Sequence, residues 1–238
     1  VTPKRYMINY MSDGTDAITV PAEAKGKLDC IVYFVDSSAN IIWKHRYGTP
    51  EHDGTRLSTI DPLTKNVYFI NSAFYPGGDI TWYSGMLWIQ EVDTFGNNKG
   101  SKSYGGTQPH VALDAMWYEN RLWIFSYSSG NADPADMEIN TGLLNTNDTW
   151  IAVIDSNVNL VGKYTLQSDY NDYIDDAFFY QNQLFVGGHI SSPVNVPYKC
   201  GTSNSFKFVF KLGLAPLGIY DAQSATDDIF VLYPNPTN

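Results

Sequence analysis

Short hydrophobic runs alternate with polar turns along most of the chain. The runs at residues 31–35, 87–92 and 150–154 are rich in aromatic and β-branched residues, and each is followed by Asp and a polar turn. Such runs predict β-strands, because these side chains favour a pleated surface and the flanking residues favour turns. No long segment has the 3.6-residue apolar period of an amphipathic helix, so we predict an all-β fold.

The strand pattern repeats along the sequence. The runs that open each repeat contain Ile31, Leu87, Trp150 and Lys207, which are spaced by 56, 63 and 57 residues. Four-stranded units that recur in this way are typical of β-propeller blades, although most blades have roughly 40–50 residues. The additional length falls in three connections, at residues 73–86, 128–149 and 190–205. We therefore predict a β-propeller over residues 1–220, with repeats that start near residues 31, 87, 150 and 207.

The two ends of this region do not form complete repeats. Residues 5–10 resemble the fourth strand of a blade, and the repeat near residue 207 has two legible strands. In one interpretation the N-terminal strand completes the last repeat and closes the ring. We favour the other interpretation, a partial propeller whose upstream blades lie outside this sequence, because closure would still leave the last blade without a third strand.

Composition narrows the classes of partner. The chain has 238 residues, with 15 basic and 25 acidic side chains and a formal net charge of −10. We predict no nucleic-acid partner, because phosphate binding requires clustered Lys and Arg. No stretch reaches the ~18–20 apolar residues of a transmembrane helix, so we predict no membrane insertion. The chain is 43% hydrophobic and 15% aromatic, which favours a folded core over disorder.

Acidic residues recur at equivalent places in the repeats. Asp36, Asp93 and Asp155 each end the first strand of a repeat, and we predict that they form the following turns. A second set follows Tyr47, Tyr104 and Tyr164 by six to eight residues and comprises Asp53, His110 and Asp172. We predict that a side-chain oxygen at this position caps backbone N–H groups of the loop. The alternative is a polar ring on a functional rim, in which His110 is the unusual member.

The long connections are the predicted binding region. Successive antiparallel strands alternate in direction, so these connections lie on one rim, and loops on a rigid scaffold commonly bind ligands. Aromatic rings stack on sugar C–H faces, while carboxylates and amides bond to hydroxyl groups. The candidate ligand-binding residues are Tyr75, Trp82, Tyr83, His110 and Tyr198. The alternative is that Trp82 and Tyr83 pack beneath their own loop.

One window suggests a metal site. Residues 169–176 are strongly acidic, and Ca²⁺ requires six to eight oxygen ligands, so Asp169, Asp172 and Asp175 are candidate calcium ligands. The EF-hand pattern is absent, and the alternative is a set of solvated loop carboxylates. No other cofactor is indicated by the sequence.

Catalytic and redox signals are weak. The sequence has no Gly-x-Ser-x-Gly elbow, no His-Glu-x-x-His motif and no phosphate-binding glycine loop. With 25 acidic residues, a pair spaced for glycoside hydrolysis would arise by chance. The two cysteines, Cys30 and Cys200, fall near the same predicted rim. They form a disulfide if their Cα atoms lie within ~7 Å, and are otherwise two buried thiols.

The repeat resembles a known bacterial family. Asp36 followed by Trp43-Lys44-His45-Arg46-Tyr47-Gly48, and Asp93 followed by Tyr104-Gly105-Gly106, are similar to the SBBP-type propeller repeat. The third repeat keeps Asp155 and Lys163-Tyr164 but lacks the glycines. The resemblance covers residues 28–220 and implies the propeller fold more strongly than it implies a function.

The C-terminal residues carry a second resemblance. Residues 229–238 include Tyr233-Pro234-Asn235-Pro236 and follow a polar linker at residues 221–228. This segment is similar to the opening of the C-terminal sorting domain of the type IX secretion system of Bacteroidetes. The resemblance implies contact with the type IX secretion machinery, and a protein that is secreted or held at the cell surface. It also implies a longer protein and a compartment that permits disulfides.

These observations lead to three functional hypotheses. The first is a binding or adhesion module for a glycan or a cell-surface protein. The second is a carbohydrate-active enzyme, a hydrolase or lyase that uses Asp and His on the rim. The third is a structural spacer within a longer surface protein.

Overall fold

The computed structural model describes residues 4–13, 26–83, 85–105, 110–129, 147–166, 171–190 and 206–213. These residues form fifteen β-strands, which confirms the all-β prediction. They contain no helix that could cross a membrane. The strands are β1 Arg5–Ser12, β2 Asp29–Asp36, β3 Ile41–Tyr47, β4 Asp53–Ile60, β5 Val67–Ala73, β6 Trp82–Tyr83, β7 Leu87–Val92, β8 Asn98–Tyr104, β9 His110–Tyr118, β10 Arg121–Ser129, β11 Asn147–Ile154, β12 Leu160–Leu166, β13 Asp172–Tyr180, β14 Gln183–Ile190 and β15 Phe206–Gly213.

The strands form four sheets in chain order. Sheet 1 has the order β1-β2-β3, sheet 2 has β4-β5-β7-β8-β6, sheet 3 has β12-β11-β10-β9 and sheet 4 has β13-β14-β15. All of these pairs are antiparallel except that of the short strand β6 with β8. Apart from β6, the neighbouring strands of each sheet follow one another in the chain and pair antiparallel.

The strands are grouped differently from the sequence prediction. The four runs between residues 31 and 70 were predicted to form one blade, but β2 and β3 lie in sheet 1 whereas β4 and β5 lie in sheet 2. Sheets 2, 3 and 4 start at Asp53, His110 and Asp172, two strands after the predicted repeat starts. The long connections consequently lie within sheets, and short connections join one sheet to the next. A repeating sequence pattern gives the order of the strands, but it does not show at which strand one sheet ends and the next begins.

The sheets stack face to face, with a hydrophobic core between each neighbouring pair. Sheets 1 and 2 enclose Val32, Phe69 and Trp88, sheets 2 and 3 enclose Ile70 and Trp150, and sheets 3 and 4 enclose Trp123 and Leu184. Inner strands such as β5 and β7 are buried along their whole length, which explains why apolar residues predominate in them. Most of the tryptophans are therefore structural.

The predicted turn role of the repeated aspartates is confirmed. Asp36 Oδ1 accepts hydrogen bonds from the N–H groups of Ser38 and Asn40, at 2.8 and 2.9 Å, and Oδ2 accepts one from Asn40 Nδ2. Asp93 and Asp155 make the same three bonds within their own turns. The three aspartates thus fix the β2–β3, β7–β8 and β11–β12 hairpins.

The starts of several strands lie along one edge of the stacked sheets. Leu28 and His52 form a parallel bridge just before β2 and β4, and Ser72 Oγ donates to the His110 carbonyl at 2.6 Å. Thr149 Oγ1 donates to the Asp172 carbonyl at 3.2 Å. We call this side the long-connection edge, because the connections at residues 74–86, 130–146 and 191–205 leave from it. Their common location agrees with the predicted single rim.

Candidate functional site

Two buried carboxylates converge at the long-connection edge between sheets 1 and 2. Asp29 is fully buried and Asp53 is 1% exposed. A Cβ atom on Gly48 would lie 2.1 Å from Asp29 Oδ1 and 3.1 Å from Asp53 Oδ2, so only glycine fits between them. Asp53 accepts hydrogen bonds from the Thr49 N–H at 2.5 Å and from Thr49 Oγ1 at 2.8 Å, which confirms its predicted capping role.

An arginine balances this pair. Arg46 lies directly opposite Ile31 on the neighbouring strand, and its Nε donates to Asp29 Oδ2 at 2.5 Å. Its Nη2 donates to the Ser12 carbonyl at 3.5 Å. Burial raises the pKa of Asp53 to about 7, and the charges of Asp29 and Asp79 add to this effect. One guanidinium therefore compensates a site that is rich in buried acid.

His110 occupies the corresponding place between sheets 2 and 3. A Cβ atom on Gly105 would lie 2.4 Å from His110 Nε2, just as one on Gly48 would approach Asp53. The imidazole is fully buried, and its ring centre lies 5.5 Å from that of Trp150. Burial lowers the pKa of His110 to about 4, so the ring is neutral at pH 7. In this structure His110 is not on the accessible surface, in contrast to its predicted role as a ligand contact.

A second pair of carboxylates lies between sheets 3 and 4. Asp148 and Asp172 are each 2% exposed. The residues on either side of Asp148 hold the two strands together, because the Asn147 N–H donates to Asn171 Oδ1 at 2.7 Å and Thr149 Oγ1 donates to the Asp172 carbonyl. Burial raises the pKa of Asp148 to about 7, with a further contribution from the charge of Asp172.

The predicted calcium ligands are not brought together. Asp172 is buried, whereas the Asp175 side chain is 47% exposed and bonds to His189 Nδ1 at 2.9 Å. Asp175 lies at an irregularity in the β13–β14 register, between Ile174 and Asp176. Asp169 lies outside the described residues. Within the described parts of the chain, no group of three or more His, Cys, Asp or Glu side chains is placed to hold a metal ion.

The first long connection is fixed to the edge and exposes two aromatic rings. Asp79 Oδ2 accepts a hydrogen bond from the Gly48 N–H at 2.9 Å, and the Asp79 N–H donates to the Gly48 carbonyl at 3.0 Å. Gly78 has a φ of +59°, and a Cβ atom there would lie 2.0 Å from the Gly48 oxygen. Phe74 is 38% exposed and Tyr75 is 56% exposed. The connection therefore presents these rings on a defined backbone.

The other predicted aromatic ligands differ in their placement. Tyr83 packs partly against the core between sheets 1 and 2, its hydroxyl donates to the Phe74 carbonyl at 3.3 Å, and burial raises its pKa. This is the packing role that the sequence left open. Trp82 pairs through its backbone with Lys102. Tyr198 lies outside the described residues, as does Cys200, so a bond from Cys200 to the buried Cys30 stays a prediction.

Sequence reasoning did not single out Asp29, Arg46, Ser128 or Asp148. A signal was present, since Asp29 precedes Asp53 by 24 residues and Asp148 precedes Asp172 by the same interval. The strand pairing is needed to recognise that this interval joins the third strand of one sheet to the first strand of the next.

No family model matches the chain, and no curated protein matches it significantly.

Proposed function

We propose that this protein is a secreted or cell-surface β-propeller module that binds a glycan or a surface protein through its long-connection edge. The observation that carries the proposal is the exposure of Phe74 and Tyr75 on a connection that Asp79 fixes to Gly48. Exposed aromatic rings on a rigid backbone lose little conformational entropy on binding.

The order of the sheets supports the propeller part of this proposal. Each sheet follows the previous one in the chain and shares a hydrophobic core with it, as consecutive blades do. Sheet 3 is a complete four-stranded meander, and in sheet 1 the strand β1 holds the place that β5 holds in sheet 2. In the SBBP-type motif, Tyr47 bonds to the next sheet and Gly48 makes room for the carboxylates.

The surroundings of the two rings suit a carbohydrate or a polar protein surface. Tyr75 offers a flat apolar face and a hydroxyl group, and Phe74 is a second exposed ring on the same connection. Sugar hydroxyls and peptide groups satisfy such mixed surfaces, and tyrosine is enriched where proteins bind them. We assign Tyr75 and Phe74 as the first contacts to test.

The enzyme hypothesis receives less support than the binding hypothesis. Its named residues, His110 and Asp172, are 0% and 2% exposed. One observation favours the spacer hypothesis as the second candidate: Asp53 and Asp79 bond to Thr49 and Gly48 within the protein. Those contacts stabilise the edge whether or not a ligand binds.

A glycan array and a pull-down of surface proteins test the proposal. Tyr75→Ala is compared with Tyr180→Ala, since Tyr180 is 57% exposed but lies at the β13–β14 hairpin, on the opposite edge. We expect Tyr75→Ala to weaken binding at least about tenfold, as a hot-spot aromatic does, and Tyr180→Ala to leave it unchanged. Equal affinities for the two variants would refute the site, and a folded protein that binds no ligand would favour the spacer.

Export is proposed from the resemblance at residues 229–238. In the source bacterium, antibody labelling of intact cells should detect the protein at the surface or in the medium. Loss of the signal in a strain without a type IX translocon is the expected result. Retention in the cytoplasm of the intact strain would contradict the proposal.

A further inference from the structure

Two equivalent sets of polar residues recur at the long-connection edge. In sheet 1, Ser12 pairs with Asp29, and Asp53 approaches from sheet 2. In sheet 3, Ser128 pairs with Asp148, and Asp172 approaches from sheet 4. The strand registers place serine opposite the first aspartate in both cases, so the two sets have the same arrangement of oxygen-bearing side chains.

The two sets differ in their positive charge. Arg46, opposite Ile31, supplies a guanidinium to the first set, where it contacts Asp29 and the Ser12 carbonyl. The corresponding position in sheet 3, opposite Trp150, is Thr165. The equivalent set between sheets 2 and 3 has no acid to balance. Its members are Ala73, Met86 and the neutral His110, with Ser103 at the arginine position.

The set formed by Ser128, Asp148 and Asp172 is the exception to this charge pattern, and we call it the third set. Arginine is present where two buried carboxylates meet, and an uncharged residue is present where they do not. Asp148 and Asp172 meet at the same kind of site, but Thr165 brings no charge to it. A buried pair of carboxylates is costly unless a cation or a proton compensates it.

Two oxygens of the third set have no hydrogen-bond donor. Ser128 Oγ and Asp148 Oδ1 are buried, and neither atom has a hydrogen-bond partner. The two residues are direct partners on β10 and β11, so their side chains lie on the same face of sheet 3. Buried polar atoms are nearly always satisfied, and a carboxylate oxygen can be satisfied by a metal ion.

We propose that Ser128, Asp148 and Asp172 bind a hard divalent cation, with Ca²⁺ as the best fit, at the place equivalent to the Arg46 guanidinium. The set offers oxygen ligands of the kind that Ca²⁺ prefers, and backbone carbonyls or water can complete its six to eight ligands. Ca²⁺ tolerates irregular geometry, whereas Mg²⁺ demands a near-ideal octahedron. This site shares Asp172 with the calcium set predicted from the sequence. It does not depend on the proposed binding function.

Thermal unfolding of the full chain at pH 7.5 tests the site, with EDTA or about 5 mM CaCl₂, since weak extracellular calcium sites have Kd values of about 10⁻⁴–10⁻³ M. We expect Ca²⁺ to raise the Tm of the native protein and Mg²⁺ or Na⁺ to raise it less. Asp148→Asn should abolish the calcium response. The control Asp175→Asn removes an equal charge from an exposed site and should retain the response.

The variant Thr165→Arg places an arginine opposite Trp150, at the register position that Arg46 holds opposite Ile31 in sheet 1. We expect it to raise the Tm in EDTA and to abolish the calcium response, which keeps the test valid if Asp148→Asn fails to fold. Isothermal titration of the native protein should give one calcium per chain. Two results would overturn the proposal. The first is an equal calcium response in Asp148→Asn and Asp175→Asn. The second is an absence of calcium binding together with a stability that rises as the pH falls through 7, since a proton would then compensate the carboxylates in place of a cation.

Discussion

At the residue scale, aspartate has three distinct roles that depend on its surroundings. Asp36 is solvated in a turn, and its hydrogen bonds with Asn40 hold its pKa below the usual range. Asp29 is fully buried but faces Arg46. Asp53 is buried beside other carboxylates, which raises its pKa to about 7. The same side chain thus forms a turn, an ion pair or a strained acidic site according to solvation and neighbouring charge.

A left-handed backbone position recurs in the turns that these aspartates fix. The third residue after the aspartate is Ala39, Gly96 or Val158, with φ values of 63°, 85° and 59°. Glycine adopts this conformation freely, but a β-branched residue such as Val158 does so at a cost. Val158 is fully buried, and its carbonyl accepts a hydrogen bond from Tyr104, so packing compensates the backbone strain.

The buried imidazole gives a pH prediction. Because the folded pKa of His110 is about 4 and its unfolded pKa is about 6.5, its contribution to stability is present above pH 6.5 and is lost as the pH falls towards 4. We expect His110→Gln to remove this loss, which amounts to up to about 3 kcal/mol at pH 4 relative to pH 7.

Urea unfolding in EDTA at pH 4.5 and pH 7 measures the difference in free energy between the native protein and His110→Gln. The comparison with a variant is necessary because Asp53 and Asp148, whose pKa values are raised, act in the opposite direction between pH 4 and 7. His52→Gln is the control, since His52 is exposed. An identical pH dependence for both variants would show that burial does not lower the pKa of His110.

At the element scale, the outer strands β3 and β8 are each hydrogen-bonded to a hairpin of the next sheet. Tyr47 at the end of β3 donates to the Gly96 carbonyl at 2.9 Å, and Tyr104 at the end of β8 donates to the Val158 carbonyl at 2.5 Å. Trp43 Nε1 also donates to the Thr94 carbonyl at 2.9 Å. Tyr47 and Tyr104 therefore connect neighbouring sheets. Asp93 and Asp155 hold the hairpins whose carbonyl groups accept these hydrogen bonds.

Removal of one hydroxyl should weaken the contact between sheets 2 and 3. The Tyr104 hydroxyl also accepts a hydrogen bond from the Leu160 N–H at 3.1 Å, so Tyr104→Phe leaves two buried backbone groups without a partner. We expect a loss of about 1–3 kcal/mol in the free energy of unfolding, measured with urea. Tyr75→Phe, at an exposed position, should be neutral. A neutral Tyr104→Phe would show that water replaces the hydroxyl group.

At the scale of the whole molecule, stability is distributed over successive interfaces. Each core involves only two neighbouring sheets, and the inner strands contribute alternate residues to the cores on their two sides. In such a linear arrangement, stability is approximately a sum of units and nearest-neighbour interfaces. The described residues of sheets 1 and 4 form no shared core, so local damage should have local effects.

A core substitution distinguishes a linear stack from a cooperative ring. Leu184 is fully buried between sheets 3 and 4, and Leu184→Ala should cost about 2–5 kcal/mol. Hydrogen exchange should show lower amide protection in β13 and β14 than in β2 and β3. An equal loss of protection in all four sheets would contradict the linear arrangement and indicate one cooperative unit.

The strand positions were predictable from the sequence, but the pairing between strands was not. Alternating apolar runs and the turn residues at Asp36, Asp93 and Asp155 located the hairpins, because these signals are local. The blade boundaries were displaced by two strands, because a periodic pattern has no marked origin. In the third repeat, Tyr164 matches the motif by sequence. In the structure, however, the position equivalent to Tyr47 is held by Leu166: Leu166 lies opposite Thr149, as Tyr47 lies opposite Cys30.

The sequence by itself determined the fold class, the turn-forming aspartates and the equivalence of Asp53, His110 and Asp172, since these depend on residue type and spacing. Only the tertiary structure decided that His110 is buried and that Arg46 compensates Asp29. It likewise brought Asp148 and Ser128 together with Asp172. Burial and charge balance depend on which strands become neighbours across sheets, and that choice is made by the packing of the whole chain.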